Sequence, residues 1–285
     1  MAQTVRKQTA RNRADRCPGV IRPWPASDGG LVRVRVPGGQ VATKKLLRLM
    51  AVAEQYGDGR LHVTARANLQ LRAMPLNSAG VLVPAALGAV EETGLVPSRS
   101  HDRVRNVLAS PQSGRGGGRA DLRPLVAALD RALMADENLA RLPGRFLFTL
   151  DDGRGDLAER HCDLGVVALD DSRAQLRMGT AWGEVVPLAD AVPALLGLAH
   201  RFLIARGLGP DAPWHVTELP EPLAPTQPPE AGAAVRAEAL AYGPVTGGAH
   251  VGVTAAGLSR TEIEAWPDAV VITPWRGVFI PEESR

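Results

Sequence analysis

From Leu61 to Arg72 the chain alternates without a break. Leu61, Val63, Ala65, Ala67, Leu69 and Leu71 are apolar, and His62, Thr64, Arg66, Asn68, Gln70 and Arg72 between them are polar. A period of two sends successive side chains to opposite faces, so the pattern predicts a single strand over 61–72 with one face in a core. Its other face carries two guanidinium groups and no acid. A merely wet face would mix acids, lysines and hydroxyls, whereas Arg with Asn and Gln suits a polyanion. For Asn68 and Gln70 a hydrogen-bonded sheet face is an equal reading.

The flanking segments predict the same kind of unit. Leu31–Val36 alternates as a half-buried strand with Arg33 and Arg35 on its polar side, and Pro37-Gly38-Gly39 turns the chain. Thr43 offers an N-cap to a helix carrying Leu46, Leu47, Met50 and Ala53, and Ala79–Glu92 reads as a second helix closed by Gly94. Strand, helix, strand, helix makes an α/β half. Beyond a basic loop over 99–106, Asp121 caps a helix to Ala135. Phe146–Leu150, Asp163–Leu169 and Ala174–Met178 read as strands, and Leu188–Arg206 as a helix. Seven prolines between Gly207 and Gly232 read as a linker. A strand at His250–Val253, a short helix from Thr261 and a strand at Ala269–Ile280 follow. Gly247-Gly248 opens this last unit as Gly29-Gly30 opens the first, which suggests an internal duplication. The expected organisation is a flexible basic arm (1–16), a first unit (17–95), a larger α/β domain (96–206), a linker (207–243) and a short second unit (244–285).

Charge and cysteine content narrow the function. The net charge of +3 hides an asymmetry: residues 1–149 carry 23 basic and 11 acidic groups, and 150–285 carry 10 and 19. Such a split steers an anion toward the first half. Of the 33 basic residues only Lys7, Lys44 and Lys45 are lysines; codon bias explains an arginine excess as readily as function does, but not the sign asymmetry. Cys17 and Cys162 cannot form a local metal motif, and a four-iron cluster usually takes four thiolates. No apolar run reaches the roughly 18 residues of a membrane span, and the basic N-terminus lacks the apolar stretch of a secretory signal. A reducing, cytoplasmic setting is the expectation. At 4% aromatic residues a base-stacking nucleic-acid surface is not expected. Six scattered histidines show no ligand spacing, and His161, Cys162 and Asp163 would alternate faces along a strand, so no metal site is expected.

Several motifs then combine. His62–Arg72 resembles the T-x-R-x-x-x-Q-x-R strand of the sulfite and nitrite reductase superfamily, Arg103–Val107 its N-R-N-V segment, and Leu142–Phe146 its L-P-x-K-F segment. Thr273–Val278 together with Cys17-Pro18-Gly19 resembles the precorrin-3B synthase branch. The resemblance implies a fold of two ferredoxin-like half domains, the second one short, plus one larger sulfite-reductase-type α/β domain. It implies a tetrapyrrole site and a 4Fe-4S cluster whose cysteines belong to a second large domain not found in these residues. Sulfite reductases hold a small oxyanion with two lysines of L-P-x-K-F-K; the matching positions are Arg145 and Leu147, so efficient sulfite or nitrite reduction is not expected. By the resemblance, an anionic tetrapyrrole, precorrin or sirohaem-like, would be bound through Arg66, Arg72, Arg105 and Arg145, with Asn68 and Gln70 nearby. For these arginines the alternative is ion pairing within the fold, with Asp102 or Asp151 as partners. The implied activity is a precorrin-3B synthase-like oxidation in aerobic cobalamin biosynthesis. A non-catalytic tetrapyrrole-binding module, or half of a split enzyme with a separate iron–sulfur subunit, are the alternatives.

Overall fold

The computed structural model describes residues 15–282; apart from Asp15 and Arg16, the expected basic arm lies outside the described residues. Strands β1 (Trp24–Ala26) and β2 (Gly29–Val34) form a hairpin, and the chain then passes through Pro37–Gly39 to the short β3 (Gln40–Ala42). Helix α1 (Thr43–Tyr56) follows, then β4 (His62–Val63), β5 (Leu69–Met74) and α2 (Pro84–Glu92). The first sheet runs β1-β2-β5-β4. Leu46, Leu49 and Met50 of α1 pack fully buried with Leu69, Leu71 and Met74 of β5; each such side chain stabilises the fold by about 1.5–3 kcal/mol.

The expected single strand over 61–72 is a hairpin. Thr64–Asn68 turns the chain so that Val63 pairs with Leu69 and His62 with Gln70. Ala67 sits in the left-handed region at φ 52°. Alternation survives because the turn restores the inside–outside phase on its far side. Two other boundaries move for local reasons. Helix α2 starts at Pro84, which lacks the N–H a helix interior requires but fits its first turn. Thr43 does not cap α1; its hydroxyl donates to the Pro267 carbonyl.

The larger domain has one five-stranded sheet. Strands β6 (Val107–Ala109), β7 (Phe148–Asp151) and β8 (Leu164–Ala168) are parallel, and β9 (Arg173–Met178) and β10 (Ala181–Pro187) continue it antiparallel. Helices α3 (Arg123–Ala135) and α4 (Ala191–Arg206) pack against it. Phe146 meets Phe148 and Phe202 at ring separations of 5.3 and 4.8 Å. Leu188–Arg206 is, contrary to the sequence expectation, long and apolar enough to cross a membrane by length and composition. Here Leu195, Leu198, Ala199 and Phe202 of this segment lie in the domain core.

The last unit repeats the first. Strands β11 (Gly243–Val245) and β12 (Gly248–Gly252) form a hairpin, α5 (Arg260–Glu264) follows, and β13 (Ala269–Thr273) and β14 (Gly277–Pro281) form a second hairpin where one strand was expected. The order β11-β12-β14-β13 is that of the first sheet. Strand β3 then extends this second sheet by pairing with β13, Val41 opposite Val270. The two units therefore share a sheet, and Arg260 of α5 pairs with Glu54 of α1 at 2.6 Å. Gly39 makes the crossing (φ 72°): a Cβ there would collide with the Ile272 carbonyl. The proline-rich stretch is no free spacer. It is bound along the larger domain, with Gln175 contacting Pro228 and Glu230, and Arg119 donating to the Gly232 carbonyl.

Candidate functional site

The turn that breaks the alternation builds the site. Thr64 Oγ1 accepts the Asn68 N–H at 3.1 Å, and the Ala67 N–H donates to the Thr64 carbonyl at 3.0 Å. Arg66 is thereby carried out of the sheet and into a groove of about 640 Å³ between the two repeated units. The first unit contributes Arg33, Arg66, Gln70 and Arg72; the second contributes Val253, Thr254, Ala255 and Arg276. No Asp or Glu is among the lining residues. Arg276 occupies the left-handed position of the second hairpin turn, at φ 56°.

Positive charge is concentrated behind this wall. Burial pulls the Arg66 guanidinium below its ordinary value, Arg33 and Arg145 add to the shift, and Cys17 and Asp163 oppose it. Arg66 also donates to the Arg145 carbonyl at 2.8 Å. Arg33 on β2 and Arg35 just past its end both donate to Cys17 Sγ, at 3.6 and 3.3 Å. Arg35 is only 2% exposed, and burial lowers its pKa to about 10. Among the described residues, Arg33 Nε and Arg35 Nε and Nη1 are buried without a hydrogen-bond partner. Orphaned buried guanidinium donors are costly unless an acceptor meets them.

The six expected site residues divide. Arg66 and Gln70 line the groove, and Arg72 stands at its rim in an exposed pair with Asp28 at 3.1 Å. Arg105 is elsewhere. Its guanidinium grips Asp130 by two bonds of 2.7 and 2.8 Å and donates to the Leu95 carbonyl, so ion pairing within the fold claims it, through neither Asp102 nor Asp151. Asn68 is 1% exposed; it accepts the Val36 N–H and donates to Asn106 Oδ1, stitching the first unit to the larger domain. Arg145 is exposed, its guanidinium 5.1 Å from the Trp214 ring centre. Sequence reasoning missed Arg33 and Arg276 as groove residues. The first was visible on the polar side of the β2 alternation, and Arg276 as the repeat of the Arg66 turn.

Residues 25–84 match the nitrite/sulfite reductase ferredoxin-like half domain. The chain is similar to members of the sulfite/nitrite reductase superfamily. Superfamily relatives include a ferredoxin–nitrite reductase of Synechococcus elongatus, 31% identical over 131 residues, covering 44% of this chain and 25% of that protein. A precorrin-3B synthase of a Sinorhizobium species is 29% identical over 138 residues, 48% of this chain and 28% of that protein. The solved structure of the Mycobacterium tuberculosis NirA protein superposes with a TM-score of 0.66 at 19% identity, over 89% of this chain and 54% of that one. The fold of that superfamily, with ferredoxin-like half domains, is thus the fold of this chain, which spans about half the length of its structural neighbour and matches about a quarter of each of the first two relatives.

Proposed function

We propose that the groove seats an anionic tetrapyrrole by its carboxylates and that the chain is the macrocycle-binding part of a precorrin-3B synthase-like oxidoreductase. The carrying observation is a groove of about 640 Å³ lined by four arginines and no acid at the junction of two repeated units. Acetate and propionate groups accept charge-assisted, bidentate hydrogen bonds that a small oxyanion could not distribute over Arg33, Arg66, Arg72 and Arg276. The orphaned Arg33 Nε beside this wall is a donor of the right kind. Leu147, at the second family lysine position, is buried at 2% exposure and supplies no charge for sulfite or nitrite, which favours a large polycarboxylate as the substrate.

The chain's two cysteines do not fit the four-thiolate cluster implied by the resemblance. Cys17 is held by two arginines, and Cys162, buried against Thr149, has its thiol pushed up to about 11. The proposal therefore gives this chain the binding and orientation of the macrocycle and assigns electron delivery to thiolates outside these 285 residues. A titration with sirohaem tests the reading. A saturable shift of the macrocycle bands that weakens in Arg66→Ala supports it; bands unchanged by the protein overturn it.

A further inference from the structure

Within electrostatic reach of Arg66, two side chains near one another in sequence meet a third from far along the chain. His161 and Asp163 lie just before the central strand β8, and His215 arrives from the proline-rich segment. The three donor atoms all lie within 4.8 Å of one another. His161 Nε2 is 3.0 Å from His215 Nδ1 and 3.2 Å from Asp163 Oδ2; His215 Nδ1 is 3.2 Å from Asp163 Oδ1. Alternation of faces sets Cys162 apart from its neighbours but leaves His161 and Asp163, two residues apart, on one side, so the expectation of no metal site overlooked this pair.

Protons alone do not satisfy this triangle. If both inward nitrogens carry hydrogen and donate to Asp163, the two N–H groups face each other at 3.0 Å. If one donates to the other, the accepting nitrogen confronts a carboxylate oxygen that also only accepts. A cation at the centre satisfies all three contacts at once. Metal–ligand bonds of about 2.0–2.2 Å in tetrahedral geometry place donors roughly 3.3 Å apart, close to the observed separations. The carboxylate is aimed by its surroundings: Asp163 is fully buried and accepts the backbone N–H of Leu147 at 2.8 Å and of Val216 at 2.9 Å. Such outer contacts orient a ligand. Cys162 is not a donor, since its sulfur accepts from Thr149 Oγ1.

We propose that His161, Asp163 and His215 form a site for a divalent first-row transition ion of the zinc type, clamping the proline-rich segment to the larger domain. Two imidazoles with one carboxylate select such an ion over magnesium or calcium. His161, with 40% of its side chain exposed, leaves one side open for water or a further ligand. The clamp also fixes Trp214, the neighbour of His215 that lies over Arg145.

The test is a titration of the chelator-treated full chain with Co2+, read by visible absorption, followed by displacement with Zn2+. The expected result is one equivalent of tetrahedral or five-coordinate cobalt, released by zinc, and a Zn2+-dependent rise in melting temperature. His161→Ala and His215→Ala each weaken binding by more than the roughly 10–100-fold typical of outer-shell changes. His200→Ala, which removes the comparably exposed histidine paired with Asp136 at 2.7 Å, leaves binding intact. No cobalt spectrum at stoichiometric metal, or the same affinity in His161→Ala, overturns the proposal. His161 is exposed enough that its variant folds, so it decides the matter even if His215→Ala does not.

Discussion

Thr64 and Thr273 hold equivalent turns in the two repeated units. Each Oγ1 accepts the backbone N–H four residues on, from Asn68 at 3.1 Å and from Gly277 at 3.2 Å. In each turn the third residue after the threonine has positive φ, Ala67 at 52° and Arg276 at 56°. Both turns present an arginine to the same groove, Arg66 from one and Arg276 from the other. The duplication therefore reaches the geometry of the binding wall as well as the order of the strands.

Replacing either threonine with valine deletes the acceptor and keeps the shape. Thr64→Val is expected to lower stability by about 1 kcal/mol. Thr273 is fully buried and also bonds His250 Nε2 at 2.9 Å, so Thr273→Val leaves a second polar group unpaired. A cost of about 2–3 kcal/mol is expected there. Urea unfolding measures both, and a sirohaem titration should weaken in both because each frees one arginine of the groove.

Arg66 and Arg105 should respond in opposite ways. Arg66→Ala removes a groove guanidinium that, among the described residues, bonds a backbone carbonyl and no carboxylate; affinity for the macrocycle falls and the fold survives. Arg105→Ala strands Asp130 in a pair whose side chains are 8% and 18% exposed. Breaking such a pair costs about 3–5 kcal/mol. Comparing melting temperature with titration in both variants separates the roles, and a stable Arg105→Ala that no longer binds would reverse the assignment made here.

The residues that were legible in the sequence are those whose signal is local. Strands β7, β8 and β9 and helices α1 and α3 follow from periodicity, and the repeated Gly-Gly openings stand in the sequence itself, although neither helix has the side-chain cap expected of it. The two hairpins were read as single strands for one shared reason. Their left-handed positions are filled by Ala67 and Arg276, residues that give no turn signal, and the Asn or Gly that would signal a turn comes one residue later. Partners set by tertiary contact were not legible. Nothing in the order of residues says that Arg105 meets Asp130 while Arg66 meets the Arg145 carbonyl, or that His215 crosses to Asp163. The short β3 belongs to this class as well, because its partner β13 lies more than 200 residues away.

Asp156 gives the fold a pH dependence. Its carboxyl is pushed up to about 7, first by burial and then by neighbouring Asp151, against a hydrogen bond from Ser110 Oγ at 2.7 Å. An unfolded aspartate titrates near about 3.9. The folded form therefore holds its proton more tightly, and this contribution is complete below about pH 4 and lost as pH rises through about 7. Asp156→Asn keeps an acceptor for Ser110 and removes the titration. The variant's stability relative to the parent is expected to grow by a few kcal/mol between about pH 4 and pH 8. Denaturant midpoints at several pH values check it, and a pH-independent difference would remove Asp156 from the account.

Asn68 separates packing from binding most sharply. Its Oδ1 accepts the Val36 N–H at 3.1 Å and its Nδ2 donates to Asn106 Oδ1 at 3.2 Å, while Asn106 in turn donates to the Arg103 and Gly144 carbonyls. One amide thus ties the end of β2 to the larger domain. Asn68→Ala leaves a buried N–H and a buried amide oxygen unpaired, an expected loss of about 2–4 kcal/mol. Asn68→Asp keeps the acceptor for Val36 but sets a carboxylate against the Asn106 oxygen, so it fails to rescue. A double-mutant cycle with Asn106→Ala should return a coupling of about 0.5–3 kcal/mol. Macrocycle affinity of the folded fraction should stay near the parent's, because Asn68 lies behind the wall that Arg66 and Arg33 present.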